Sequence, residues 1–155
     1  MKEYLIVEKE NGLPLLKEYK DHHHDFDNLG FETVLNLVNV KYHLSELGCE
    51  RLYLLGFSYK NEPLGIILIS AGDYKGTFLY KRNIALGSLL MGAKKIILIH
   101  NHPGDNTEIS EDDRSSSEEI RELCELIGIK YEGSIVFCRS GWIDLDDEEL
   151  HDWRD

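Results

Sequence analysis

Lys95-Ile96-Ile97-Leu98-Ile99 is an apolar run that passes directly into His100-Asn101-His102-Pro103-Gly104. A short run this rich in isoleucine predicts a buried strand of a sheet covered by other layers. Pro103 cannot extend a hydrogen-bond ladder, so the strand stops just after His102, and Gly104 frees the chain to turn. Side chains two apart in a strand share one face. His100 and His102 therefore converge just outside the strand end, where α/β folds usually place their ligands.

The loop ends at Ser110-Glu111-Asp112-Asp113, and Asp113 falls in the first turn of the helix expected there. It supplies a third ligand to a metal held by the two imidazoles, with Asp112 as its nearest rival. Two histidines, one carboxylate and an open position make a catalytic rather than a structural zinc site. A plainer reading stands beside this one. Loop histidines also bond backbone groups, and S-x-x-D is a capping-box pattern that satisfies free amides at a helix start. The two readings of Ser110 and Asp113 are compatible, since a ligand on a capped turn is held rigidly.

The chain has 155 residues, 42% of them apolar and only three prolines, which predicts one well-buried core. The opening MKEYLIVEKE is charged and lacks a signal-peptide core. No window approaches the roughly 18 apolar residues of a membrane span. Cys49, Cys124 and Cys138 are odd in number and lack CxxC spacing, as expected of reduced thiols in a cytoplasmic protein. The net charge of -12 is concentrated: residues 105–119 and residues 144–155 each hold seven acids against one Arg. Phosphate-backbone binding needs clustered Lys and Arg. The acidic site side therefore disfavours a nucleic-acid partner, although a bound metal would offset part of that field.

Elements alternate along the chain. Residues 4–7 and 13–19 read as strands joined by Asn11-Gly12. Residues 21–30, with His22-His23-His24, read as a solvated polar loop. Phe31, Val34, Leu35, Val38 and Tyr42 follow helical spacing, with Gly48 where a C-cap belongs. Residues 51–58 and 64–70 form a hairpin around Lys60-Asn61-Glu62-Pro63. Tyr80, Ile84, Gly87, Leu90 and Met91 mark a second helix capped near Gly92. Ser110 opens a third, where Ile120, Leu123, Leu126 and Ile127 share a face before Gly128. Residues 135–138 are a further strand, and the tail from Asp144 is expected to be mobile. The sum is α/β, a sandwich of a mixed sheet flanked by helices. Glu50 heads the strongly apolar strand 51–58. It is a solvated strand-end carboxylate unless it neighbours the metal, in which case it is the natural general base. His43, on the first helix, and His151, in the tail, carry no partner pattern. Tyr74, Tyr80 and Trp142 read as core or rim aromatics.

H-x-H-P followed at this distance by S-x-x-D resembles the JAB/MPN, or JAMM, metalloprotease signature. The run ILIHNHPGDNTEISEDD is most similar to the RadC branch of that superfamily, and the likeness covers residues 31–145. Residues 1–30 then form an N-terminal strand pair and polar loop, and residues 146–155 an acidic tail. The resemblance implies a cytidine-deaminase-like α/β/α fold and Zn²⁺-dependent hydrolysis of amide or isopeptide bonds, with a peptide or ubiquitin-like protein as substrate. It implies His100, His102 and Asp113 as zinc ligands, Glu50 as acid/base and Ser110 as the residue that steadies the oxyanion. The chain departs from the family in three places. The loop reads PGDNTEIS where the family has SG and prolines. Asp-His is missing near Gly133-Ser134, and Tyr80-Lys81-Arg82-Asn83 replaces a Pro-Arg-Glu run.

Two alternatives differ in class: a non-catalytic binding or scaffold module that keeps the fold, and a DNA-repair-associated role that only the RadC name suggests. An HNH nuclease spreads its residues over some thirty positions, and an amidohydrolase needs a barrel of roughly 250 residues.

Overall fold

The computed structural model describes residues 1–72 and 81–153. Strands β1 (Lys2–Glu8) and β2 (Pro14–Asp21) form a hairpin in which the Gly12 amide donates to the Lys9 carbonyl at 2.8 Å. Helix α1 (Phe31–Tyr42) follows, then the hairpin β3 (Arg51–Phe57) and β4 (Pro63–Ala71). Helix α2 (Lys81–Met91) leads to β5 (Lys95–Asn101), and helix α3 (Glu111–Ile127) to β6 (Lys130–Phe137). Strands β7 (Gly141–Asp144) and β8 (Leu150–Asp152) close the chain.

Among the described residues the eight strands form one sheet in the order β2-β1-β4-β3-β5-β6-β7-β8. The β1–β4 and β5–β6 pairs are parallel and the others antiparallel, so the sheet is mixed. Its two faces hold separate cores. Val34, Leu35 and Val38 of α1 pack on Tyr53, Leu55, Ile97 and Ile99. On the other face Ile84 of α2 and Ile120 and Cys124 of α3 pack on Leu52, Leu54, Ile96 and Leu98. This is the three-layer α/β/α arrangement expected from the sequence. It follows from strands apolar on both sides, which need a helix layer on each.

Four expectations are corrected. Helix α1 ends at Tyr42 with His43 at φ 52° as its C-cap, and a 3-10 turn at Leu44–Glu46 precedes Gly48. Burial of Leu44 and a bond from the Ser45 amide to Asn39 Oδ1 at 2.9 Å hold the chain in that turn. His22 is buried, with Nε2 2.5 Å from Glu3 Oε1 on β1, while His23 and His24 stay exposed. On α3 the inward position belongs to Cys124, and Leu126 is 85% exposed; Leu90 of α2 is also exposed, though less so. The segment after Asp144 is not a loose tail. It returns as β8, and Trp153 Nε1 donates to the Cys138 carbonyl at 2.9 Å. Tyr74 and Tyr80 lie outside the described residues, and Trp142 is buried against α1.

Candidate metal centre

Strand β5 alternates between the two cores. Ile97 and Ile99 face α1, whereas Ile96 and Leu98 face α2 and α3. By the same period His100 and His102 fall on the α3 side, and they are only 8% and 6% exposed. The chain leaves β5 through a tight turn in which Gly104 and Asp105 both have positive φ, 73° and 60°. Asp105 Oδ1 pins this turn to the β6–β7 connection, accepting from the Ser140 amide at 2.8 Å and its hydroxyl at 2.9 Å.

Helix α3 brings the carboxylate. Its buried stripe contains Ser117, Ile120 and Cys124, and Asp113 stands four and seven residues before the first two. That spacing puts Asp113 on the face turned to the sheet, and Asp112, one residue away, on the solvent side. Asp112 is exposed accordingly. The phase with Ile120 was the sequence signal that separates the two rivals.

The three donors form a tight triangle. His100 Nε2 lies 3.2 Å from His102 Nε2 and 3.3 Å from Asp113 Oδ1, and His102 Nε2 lies 3.5 Å from Asp113 Oδ2. A tetrahedral ion with bonds of about 2.0–2.1 Å holds its ligands roughly 3.3–3.4 Å apart. The donor spacing thus fits zinc. His102 Nδ1 donates to the Asn106 carbonyl at 3.1 Å, which turns Nε2 toward the cluster as the nitrogen that would give its lone pair to a metal. That carbonyl also accepts from Cys138 Sγ at 3.1 Å. Among the described residues this is the one cluster of three or more His, Cys, Asp or Glu side chains with metal-holding spacing.

The electrostatics agree with the geometry. Burial opposes ionisation of Asp113, but hydrogen bonds from His100 and His102, reinforced by Ser110, hold its carboxyl far below the usual range. Burial likewise works against the His102 cation. The Asp113 hydrogen bond and charge, the Asn106 carbonyl and the charge of Glu50 outweigh it, and the imidazole is raised. Glu50 is thus near enough to act on His102 through its field. It is half-buried at the head of β3. The antiparallel β3–β5 register, in which Leu52 faces His100, carries the start of β3 to the same sheet end as the close of β5.

Ser110 caps α3. Its hydroxyl donates to Asp113 Oδ2 at 2.7 Å and accepts from the Asp113 amide at 3.1 Å, and its own amide donates to Oδ2 at 2.9 Å. Two supporting residues escaped the sequence reading. Asn106 acts through its carbonyl, which leaves no side-chain signature. Asn101 was visible in principle, as an amide in a strand otherwise apolar toward α1, where a polar group must find partners.

The model of the RadC-like JAB domain matches residues 31–150. The chain belongs to this family. Among the relatives of this RadC-like JAB domain is a UPF0758 protein from Coprothermobacter proteolyticus, 29% identical over 103 residues, covering 66% of this chain and 44% of that protein. A UPF0758 protein from Clostridium acetobutylicum is 29% identical over 101 residues, covering 65% of this chain and 44% of the relative. One from Actinobacillus pleuropneumoniae is 32% identical over 79 residues, 51% of this chain and 36% of its own length. The aligned part of the RadC-like JAB domain thus spans less than half of each of these relatives. No helix among the described residues is long and apolar enough to cross a membrane.

Proposed function

We propose that this RadC-like JAB domain is a zinc-dependent hydrolase of amide or isopeptide bonds. The observation that carries this reading is the 3.2–3.5 Å triangle of His100 Nε2, His102 Nε2 and the Asp113 carboxylate at a strand end. His100, His102 and Asp113 would hold the ion, leaving one corner for solvent or substrate. Zinc, when bound, supplies Lewis acidity, polarising a carbonyl and lowering the pKa of water to about 7.

The chain's own groups do the rest. Glu50, placed where its charge reaches His102, takes the proton of the attacking water and returns it to the leaving amine nitrogen. Ser110 orients Asp113 and, when its proton turns away from Oδ2, offers a donor to the developing oxyanion. Burial of both imidazoles keeps bulk water from weakening these interactions. The substrate class is a peptide or a ubiquitin-like protein, and the three free cysteines suit a reducing cytoplasm. The acidic surface around α3 favours no nucleic-acid partner.

A second reading, a binding module without catalysis, draws on the motif loop, which Asp105 ties down through Ser140. Zinc-loaded wild type and Glu50→Gln, assayed on ubiquitin-like and C-terminally extended peptide fusions, separate the two. Turnover by wild type alone supports the hydrolase. Equal turnover refutes the role of Glu50, and zinc binding with no turnover by either favours the module.

A further inference from the structure

Asn101 sits between the two metal-facing histidines, yet by the period of the strand it points the other way, toward the α1 layer. It is fully buried, at 0% exposure. A buried amide must be paired or it destabilises the fold, so its partners matter. Asn101 Nδ2 donates to the Cys49 carbonyl at 3.0 Å, and Oδ1 accepts from the Arg51 amide at 2.8 Å. These two groups belong to successive peptide units, the ones immediately before and after the Glu50 Cα. The regular β3–β5 register ends at Leu52 opposite His100. Past that point the side chain of Asn101 takes over from the backbone. A third tie comes from just past the end of β4, where the Gly72 amide donates to the Glu50 carbonyl at 2.9 Å.

We propose that Asn101 is the positioning residue for Glu50: one buried side-chain amide clamps both peptide groups flanking Glu50 and so holds its carboxylate beside the His100–His102–Asp113 cluster. The catalytic meaning of this clamp rests on the hydrolase reading, whereas the clamp itself is a matter of geometry. Strand β5 then serves the site from both faces, with metal ligands on one and the hold on the base on the other. Displacing a catalytic group by about 1 Å costs on the order of 10² in rate.

The test compares wild type, Asn101→Ala, Glu50→Gln and the double variant. In Asn101→Ala, the Arg51 amide should exchange with solvent at least about tenfold faster by NMR, while amides of central β5 keep their protection. Affinity for zinc should stay within about twofold, because the three ligands lie on the opposite face. With Co²⁺ in place of zinc, the visible bands of Asn101→Ala should shift as they do in Glu50→Gln, with no further shift in the double variant. On a cleaved fusion, kcat should fall about 10–100-fold with KM unchanged, and not further when Glu50 is already Gln. Unchanged Arg51 exchange, unshifted Co²⁺ bands or a parallel collapse of metal affinity would each overturn the proposal. If Asn101→Ala does not fold, Asn101→Asp, which keeps the Arg51 acceptor and loses the Cys49 donor, is read by the same band shift and affinity. A wild type that binds zinc but cleaves nothing removes the hydrolase reading, and the exchange and Co²⁺ results still judge the clamp.

Discussion

The Ser110 hydroxyl donates to Asp113 Oδ2 across 2.7 Å while accepting the Asp113 amide at 3.1 Å, so the cap of helix α3 and the aim of a metal-facing carboxylate are one pair of bonds. Removing it has two effects of different size. Ser110→Ala should lose about 1 kcal/mol of cap energy, lowering Tm by roughly 2–4 °C. It should also weaken zinc binding about 10–100-fold, since Asp113 loses its orienting partner. Thermal unfolding without metal and a zinc titration measure the two separately. A drop in Tm with affinity intact would mean that Ser110 is a cap and nothing more.

Zinc should bind at one ion per chain and stabilise the fold. At a free concentration near one hundred times Kd, the gain is about 2.7 kcal/mol, which for a chain of this size corresponds to roughly 5–10 °C in Tm. The double variant His100→Ala, His102→Ala should show neither the bound ion by elemental analysis nor the thermal shift. Metal-insensitive melting of the wild type would count against the site.

Glu50→Gln removes a proton acceptor and leaves the ligand triangle alone. Its metal content should match wild type, with turnover of a peptide or ubiquitin-like fusion reduced by about 10²–10⁴. Reduced metal content would instead place Glu50 among the groups that hold the ion.

Burial pushes the thiols of Cys124 and Cys138 up to about 11. At pH 8 each is then ionised about one part in a thousand, and ionisation rises as pH climbs toward that value. Cys49 is half-exposed. Native alkylation at pH 8 followed by mass spectrometry should label Cys49 first, with Cys124 and Cys138 reacting only on unfolding. Early labelling of Cys138 would show that the loop around Asn106 opens readily.

A methyl group on Gly141 would press into the backbone carbonyl of His151 on the neighbouring strand. Gly141→Ala should therefore unseat β8, at a cost of about 1–3 kcal/mol. Because His151 stacks on Trp142 at 4.1 Å, tryptophan fluorescence should change, and residues 146–153 should become sensitive to protease. Proteolysis no faster than wild type would show that β8 contributes little.

Much of the architecture was readable from local pattern. Apolar runs of strand length, helices spaced by threes and fours, and Gly92 and Gly128 at positive φ after α2 and α3 all act over a few residues. The short-range chemistry of the site was readable for the same reason. Proline after His102 ends the strand, the two histidines share a face, and Ser110 with Asp113 starts the next helix. The misses are long-range. Local spacing marked Leu126 as inward, whereas the face that α3 packs on the sheet carries Ser117, Ile120 and Cys124. An acidic tail with little apolar content looked loose, and sheet pairing with β7 ordered it.

His100, His102, Ser110 and Asp113 lie within fourteen residues, so covalent geometry and secondary-structure period suffice to bring them near one another. Glu50 lies fifty residues before His100, and no local rule can bring it to the cluster. The antiparallel pairing of β3 with β5 does so, by returning the start of one strand to the end of the other. The role of Asn101 has the same origin: its residue type says that partners are required, and only the packed sheet says that those partners are the two peptide groups around Glu50. Strand pairing across such separations is set by the summed burial of both faces of the sheet, which belongs to the whole chain and to no segment of it.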